Sequence, residues 1–82
     1  MARLPRDLSG RDLARALRQF GYVVTRESGS HMRLTTQQAG EHHVTIPDHA
    51  NLRVGTLASI LGDVATHLGI ERAALAVSLF DV

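Results

Sequence analysis

The chain has 82 residues, which allow one domain with one small hydrophobic core. Apolar residues make up 44% of it, which argues against intrinsic disorder, and the lack of cysteine excludes disulfides and thiolate chemistry. The formal net charge of +1 does not by itself indicate a nucleic-acid-binding protein. No apolar run approaches the roughly 18 residues of a membrane span, and the first nine residues lack the hydrophobic stretch of a signal peptide. We therefore expect a soluble, cytoplasmic protein.

The charges are distributed unevenly along the chain. Residues 1–33 hold seven arginines against three carboxylates, whereas residues 34–82 hold two arginines against five carboxylates. All nine basic residues are arginine, whose planar guanidinium group suits phosphate. The bias is compatible with an RNA partner, and codon usage in the source genome would explain it equally well.

A first helix is predicted to begin at Ser9, which is a favourable N-cap residue. Asp12, three residues later, comes close to completing a capping box. Gly21 is expected to end the helix in the left-handed conformation. The apolar stripe of this helix consists of Leu13, Ala16, Leu17 and Phe20.

Three arginines repeat along the opposite face of this helix, at Arg11, Arg15 and Arg18. Spacings of four and three residues align them on one side. This row is the candidate partner-binding surface. Three interpretations stay open: it meets an acidic protein, it follows an RNA backbone, or it is only the solvated face of an amphipathic helix.

The first strand is predicted over residues 22–27, which are rich in β-branched residues, and a Ser–Gly turn signal follows it. Pairing across that turn is expected to place Arg26 beside His31. Two faces of the strand compete evenly for the core: Val23 with Thr25, and Tyr22 with Val24.

Two further strands, over residues 30–36 and 42–47, alternate between apolar and polar side chains. Pairing Leu34 with Val44 makes a hairpin in which both strands present their apolar residues to the same side. The four apolar residues are Met32, Leu34, Val44 and Ile46. Pro47 ends the third strand because it cannot donate to the ladder.

A second helix is predicted to begin at or near Thr56 as its N-cap and to end at Gly69. A third, short helix is predicted over residues 70–80. The apolar positions of the second are Leu57, Ile60, Leu61, Val64 and Leu68, and those of the third are Leu75, Val77 and Leu79.

The fold class that follows is α+β. The order is α-β-β-β-α plus an extra C-terminal helix, with helices on one face of a three-stranded antiparallel sheet. The other face, which carries His31 and Arg33, is expected to be open to solvent.

Three stretches of the chain, taken in order, resemble the HicA family of toxin–antitoxin ribonucleases. The likeness runs from about Leu8 to Leu68. The stretches are Phe20–Val23, Gly29–His31 at the start of the second strand, and Val44–His49 continued by Leu52–Leu57 and Ile60–Leu61.

The resemblance implies a fold like that of double-stranded-RNA-binding domains, in a single domain over residues 1–82. It implies that the chain is the toxin of a type II toxin–antitoxin system and that this toxin cleaves mRNA without a metal. It also implies a HicB-like antitoxin that blocks the site of the toxin. In the family the histidine of the Gly-Ser-His segment is the functional residue, which here is His31. A second histidine often follows in the family, where this chain has Met32.

The chemistry of RNA agrees with a single histidine as the catalytic group. RNA carries its own nucleophile, the 2′-hydroxyl, so a protein needs only to move protons and stabilise charge. Histidine titrates near neutral pH, which makes His31 the predicted catalytic residue. The candidate RNA-binding residues are Gly29, Ser30, Arg33, Arg26 and His43. No cofactor is expected, and no histidine or cysteine spacing suggests a zinc site.

The remaining histidines have less specific interpretations. His42 is expected to point away from the face that carries His43. His49 lies in a loop, with either a supporting role at the site or none, and His67 is interpreted as structural at a helix C-terminus. Two other functions stay open: a non-catalytic RNA-binding module of the same fold, and a degenerate toxin that acts only as a protein partner.

Overall fold

A computed structural model describes residues 4–80, so residues 1–3 and 81–82 of the predicted domain lie outside the described part. It has the predicted order of helices and strands and the predicted α+β class. The elements are α1 (Gly10–Leu17), a 3₁₀ turn (Arg18–Phe20), β1 (Val23–Ser28), β2 (His31–Thr36), β3 (His42–Pro47), α2 (Val54–Leu68) and α3 (Arg72–Phe80).

The first helix begins with the capping box that the sequence predicts. The Ser9 hydroxyl accepts a hydrogen bond from the Asp12 backbone N–H at 3.0 Å, and the Asp12 carboxylate accepts one from the Ser9 N–H at 3.2 Å. Hydrogen bonding from the side chain and the backbone of Ser9 lowers the pKa of the Asp12 carboxyl. The helix tightens to 3₁₀ geometry in its last turn and ends at Gly21, whose φ of 82° is left-handed as predicted.

The sheet has the strand order β1-β2-β3, and both pairs are antiparallel. Leu34 lies opposite Val44, which confirms the predicted hairpin register. All four predicted apolar residues of β2 and β3 are buried against the helices. The hydrophobic core therefore lies between one face of the sheet and the helical layer.

The first strand departs from the prediction in two ways. Of the two predicted faces, only Tyr22 enters the core; it precedes β1, and all six strand residues are exposed. The register also shifts between Val24 and Arg26, which leaves Thr25 as the extra residue of a β-bulge. Between this bulge and the turn, Arg26 lies opposite Arg33, and the predicted pairing of Arg26 with His31 is wrong.

The cause of this error lies in the turn between β1 and β2. The turn consists of Gly29 and Ser30, one residue later than the predicted Ser28-Gly29 turn, so β1 continues to Ser28 and Ser28 lies opposite His31. Gly29 has a φ of 58°, which fits the first central residue of a type II′ hairpin turn.

The second helix begins at Val54, earlier than predicted. Arg53 is the N-cap and makes no side-chain capping bond, so the prediction of Thr56 as the cap is wrong. The chain is fixed just before the helix because Leu52 is buried and its N–H donates to the Leu8 carbonyl at 2.8 Å. The helix ends at Gly69, with φ 72°, as predicted.

In the third helix Leu75 is buried and Leu79 is half-buried, as predicted, but the prediction that Val77 faces the core is wrong. Val77 is 47% exposed, and the neighbouring Ala76 is buried instead. The helix packs against α1 and α2, and Ala76 lies on the side that is buried by this packing. None of the helices within residues 4–80 is long and apolar enough to cross a membrane.

Candidate functional site

The candidate site lies on the sheet face opposite the helices, at the end where β2 begins. His31 is the first residue of β2, and it is exposed between Ser28 on β1 and Pro47 on β3. It points away from the core because the next residue, Met32, is buried. The structure therefore places His31 where a solvent-borne ligand can reach it.

The turn before His31 is attached to the segment that follows β3. The Ser30 carbonyl accepts a hydrogen bond from the Asp48 N–H at 2.6 Å. Gly29 faces open space, since nothing lies within 4 Å of a Cβ built on it, and its positive φ is the reason for glycine at this position. The backbone around His31 is thus held on both sides, while its side chain remains accessible.

The imidazole of His31 is not oriented by another side chain in the described part of the chain. Between residues 4 and 80, the side-chain hydrogen bonds of histidines belong to His42, His43 and His67. Both ring nitrogens of His31 can therefore act on a ligand, one as proton donor and the other as acceptor.

Two arginines face each other beside His31. Arg33 lies two residues further along β2 on the same face, and Arg26 lies directly opposite it on β1. Like charges that face each other across two strands repel, at a cost of a few tenths of a kcal/mol to about 1 kcal/mol. Among residues 4–80, the ion pairs of arginine involve Arg11 and Arg15. The charges of Arg26 and Arg33 are therefore not neutralised by a carboxylate in that range. A bound anion would relieve the repulsion.

These arginines line a groove of about 480 Å³ on the open face. Besides them, the groove is lined by Thr25, Thr35, Gln37, Glu41 and His43. The structure therefore brings Arg26, Arg33 and His43 together. His31 lies beyond the groove, four residues along β2 from the position opposite His43, which corresponds to about 13 Å. The two histidines are too far apart to act on one phosphate group.

His43 is held by its neighbours on the open face. Its Nδ1 lies 2.7 Å from the Thr35 hydroxyl and its Nε2 lies 2.9 Å from the Glu41 carboxylate. The Thr35 hydroxyl is in turn 2.9 Å from that of Thr25. Both ring nitrogens of His43 are engaged and a carboxylate lies beside it, so the arginine end of the groove is better suited to an anion.

Sequence reasoning missed Thr25 and Glu41 as members of this face. Strand alternation already indicates that Thr35 and His43 share a side. Glu41 lies outside the predicted strands, and Thr25 reaches the groove only because of the bulge in β1. Neither has a signal in the local sequence pattern.

The predicted partner-binding row lies on the exposed side of α1, and its members differ in charge pairing. Arg11 donates to Asp48 at 2.9 Å and to Glu27 at 3.2 Å, and its hydrogen bond to Asp48 raises the pKa of its guanidinium. The guanidinium of Arg15 lies 3.4 Å from the carboxylate of Asp12. These exposed pairs contribute little to stability.

A second group of histidines joins the sheet to α2. The His42 ring contacts the Tyr22 hydroxyl at 2.7 Å and the Asp63 carboxylate at 3.2 Å. It also stacks on His67, with 4.3 Å between ring centroids. Burial raises the pKa of Tyr22 to about 12, so its hydroxyl stays neutral near pH 7.

His67 and His49 both make contacts that hold the fold. Nε2 of His67 lies 3.0 Å from the backbone carbonyls of Gln38 and Gly40, which attaches α2 to the turn between β2 and β3. The His49 carbonyl accepts from the Gly10 N–H at 2.9 Å. Within residues 4–80, no three His, Cys, Asp or Glu side chains are grouped so that they could hold a metal ion.

Comparison with known proteins assigns the chain to a family. Residues 10–69 match the model of a family described as the HicA toxin of bacterial toxin–antitoxin systems. The chain belongs to the HicA toxin family. No curated protein and no solved structure matches it significantly.

The matched segment runs from the start of α1 to the end of α2 and includes the whole sheet. The resemblance found in the sequence is thereby confirmed at the level of the family. As a HicA-family member, the chain is the toxin of a toxin–antitoxin system, and its partner is an antitoxin.

Proposed function

We propose that this HicA-family toxin is an endoribonuclease that cleaves mRNA without a metal, with His31 as its catalytic residue. The observation that carries the proposal is the placement of an exposed histidine beside two directly opposed arginines on one open sheet face. Such a face offers both proton transfer and anion binding. Because the proposed substrate is mRNA, the toxin would act in the cytoplasm.

The reaction we propose is transesterification within the RNA chain. His31 accepts the proton of a 2′-hydroxyl as its oxygen attacks the adjacent phosphorus. The bond from phosphorus to the 5′-oxygen of the next nucleotide breaks, and that oxygen receives a proton from protonated His31, directly or through water, which returns His31 to its starting state. The products are a 2′,3′-cyclic phosphate and a 5′-hydroxyl, so no external nucleophile or metal is required.

Arg33 is placed to stabilise the negative charge that develops on the phosphate. Two residues along a strand correspond to about 7 Å, a distance that a long arginine side chain spans. Its guanidinium can donate two parallel hydrogen bonds to phosphate oxygens. Arg26 adds a second positive charge from β1. Gly29 and Ser30 would border the bound RNA at the turn, and His43 would lie at the far end of the groove.

The antitoxin that we propose is a HicB-like protein that covers the open face. Such coverage would exclude RNA from His31 directly. The charge of the arginine pair gives an acidic partner a reason to bind the same face as the substrate.

The test is cleavage of a long single-stranded RNA, in EDTA, by purified wild type, His31→Ala and His31→Gln. We expect the wild type alone to cleave and to leave 2′,3′-cyclic phosphate ends. Both variants should lose roughly 10²–10⁴-fold in rate, the usual contribution of a general acid–base group. Arg72→Ala is the control, because Arg72 is an exposed arginine on α3 in the helical layer.

Other outcomes would point to other functions. Equal cleavage by wild type and both His31 variants would reject His31 as the catalytic residue. RNA binding without cleavage would favour a non-catalytic RNA-binding module. A protein that neither binds nor cleaves RNA, yet still binds its antitoxin, would favour a degenerate toxin that acts only as a protein partner.

A further inference from the structure

A second groove, of about 340 Å³, lies on the other side of β1, between that strand and α1. We call it the α1–β1 groove. One rim carries the three arginines of α1, and the remainder is aliphatic. Its lining residues are Arg11, Ala14, Arg15, Arg18, Val23, Val24 and Met32.

The aliphatic part of the α1–β1 groove is accessible to solvent. Val23 is 50% exposed and Val24 is 44% exposed, and both line the groove. Met32 and Ala14 are buried beneath. Single exposed aliphatic residues are common on protein surfaces, whereas two exposed valines in one groove with a charged rim indicate an interaction site.

The charge along the rim is graded. Arg11 is already paired with Glu27 and Asp48, and the contact of Arg15 with Asp12 is long, at 3.4 Å. At the other end, Arg18 is exposed and belongs to none of the ion pairs formed within residues 4–80. The Arg18 end of the groove therefore has positive charge available for an acidic ligand.

The lining favours a protein segment over RNA as the occupant. Surfaces that bind single-stranded RNA combine basic residues with aromatic rings on which bases stack. Among residues 4–80, those that line the α1–β1 groove include no aromatic residue. Aliphatic side chains gain from covering Val23 and Val24, and carboxylates gain from Arg18, so the complementary ligand is an acidic segment with aliphatic side chains.

The bulge in β1 limits how this segment can bind. β1 is at the edge of the sheet, where a partner strand could in principle pair with it. The extra residue at Thr25 interrupts the regular edge, which disfavours a continuous fourth strand. The segment is therefore expected to bind chiefly through its side chains.

We infer that the α1–β1 groove anchors the antitoxin through such an acidic, aliphatic segment. The inference rests on the proposed function, because it assigns the antitoxin a route to the RNA-cleaving face. Only β1 separates the groove from Arg33 and His31 on β2, and neighbouring strands are about 4.8 Å apart. A partner held in the groove can therefore extend over the edge of β1 and cover His31.

The experiment measures binding of the protein encoded by the reading frame next to the toxin gene. Arg18→Glu and Val24→Ser should each weaken its affinity about tenfold or more, as expected for central contacts of an interface. The matched controls are Arg72→Glu, an exposed arginine on α3, and Val77→Ser, whose 47% exposure is close to that of Val24. The controls should stay within twofold of wild type, and circular dichroism should show that all four variants are folded.

A second measurement separates this inference from the proposed function. If the wild type cleaves RNA, Val24→Ser should still cleave it, but the antitoxin should no longer suppress the cleavage. If neither the wild-type toxin nor any of its variants cleaves RNA, the proposed function fails, while the antitoxin-binding data still decide the role of the groove. His31→Ala should retain most of its affinity for the antitoxin.

Three results would overturn the inference. The first is equal affinity of the groove variants and their controls for the antitoxin. The second is a wild-type chain that does not bind that protein. The third is an Arg18→Glu variant that loses RNA binding and keeps full antitoxin affinity, which would make the groove part of an RNA-binding surface.

Discussion

At the scale of single residues, the arginine pair on the open face is the feature that most needs a ligand. Arg26 and Arg33 lie directly opposite each other, and a neutral residue at either position would remove the repulsion between them. The repulsion costs stability in the free protein. A phosphate between the two guanidinium groups would turn the same arrangement into a favourable one.

The corresponding prediction concerns Arg26→Ala and Arg33→Ala. Each variant should bind RNA more weakly, and the slope of log affinity against log salt should fall by about 0.7 for each lost contact with single-stranded RNA. The free energy of unfolding should stay the same or rise by a few tenths of a kcal/mol, because the repulsion is removed. Salt titrations and urea unfolding measure the two quantities.

The control for these variants is Arg72→Ala, which removes the same charge from α3. Its salt slope should match that of the wild type. A salt slope that is unchanged in both Arg26→Ala and Arg33→Ala would show that the arginine pair does not contact phosphate.

The site was predictable from the sequence to the extent that it depends on strand alternation. Met32 and Leu34 must face the core, so His31 and Arg33 must face away from it. The partner of Arg33 was not predictable, because it depends on which two residues form the turn between β1 and β2. A shift of the turn by one residue alters the cross-strand neighbour without altering the local pattern.

At the scale of secondary-structure elements, α2 illustrates how tertiary contacts can determine where a helix begins. The sequence pattern favours Thr56, a residue type that caps helices well. The chain instead enters the helix at Val54, after Leu52 is anchored in the core and bonded to Leu8. Arg53 occupies the N-cap with extended backbone angles and no side-chain cap.

This helix start leads to a pair of opposite predictions. Arg53→Ser should stabilise the protein by about 1 kcal/mol, because the new hydroxyl can accept the backbone N–H of residue 56. Thr56→Ala should change stability by less than about 0.5 kcal/mol, because Thr56 is the third residue of the helix and not its cap. Urea unfolding followed by circular dichroism measures both. A loss of about 1 kcal/mol in Thr56→Ala, with no gain in Arg53→Ser, would mean that Thr56 is the cap after all.

At the scale of the whole molecule, the approach of α1 to the end of β3 holds the sheet in place beneath the helices. Gly10, the first residue of α1, is buried there, and its N–H donates to the His49 carbonyl. A Cβ at this position would overlap the carbonyl oxygen of Pro47. The same junction lies next to His31, since Pro47 is its neighbour on β3.

The prediction at this scale compares two glycine substitutions in helices. Gly10→Ala should destabilise the protein by roughly 1–3 kcal/mol, because backbone must move to admit the methyl group. Gly62→Ala should stabilise it by about 0.5–1 kcal/mol, because this glycine lies inside α2 with nothing within 4 Å of the new Cβ. Thermal or urea unfolding distinguishes them, and equal effects would contradict the packing at Gly10.

The sequence alone was enough to predict the order of the elements, the core faces of β2 and β3, and the capping box at Ser9 and Asp12. It also placed His31 on the open face of the sheet. All of these depend on residues a few positions apart, where helical and strand periodicity are decisive.

Three features required the folded structure: the register of β1, the opposition of Arg26 to Arg33, and the groove between α1 and β1. Register and grooves depend on contacts between residues far apart in the chain. Those contacts are set by turn length, bulges and the packing of helices on the sheet, and a local sequence pattern does not encode them.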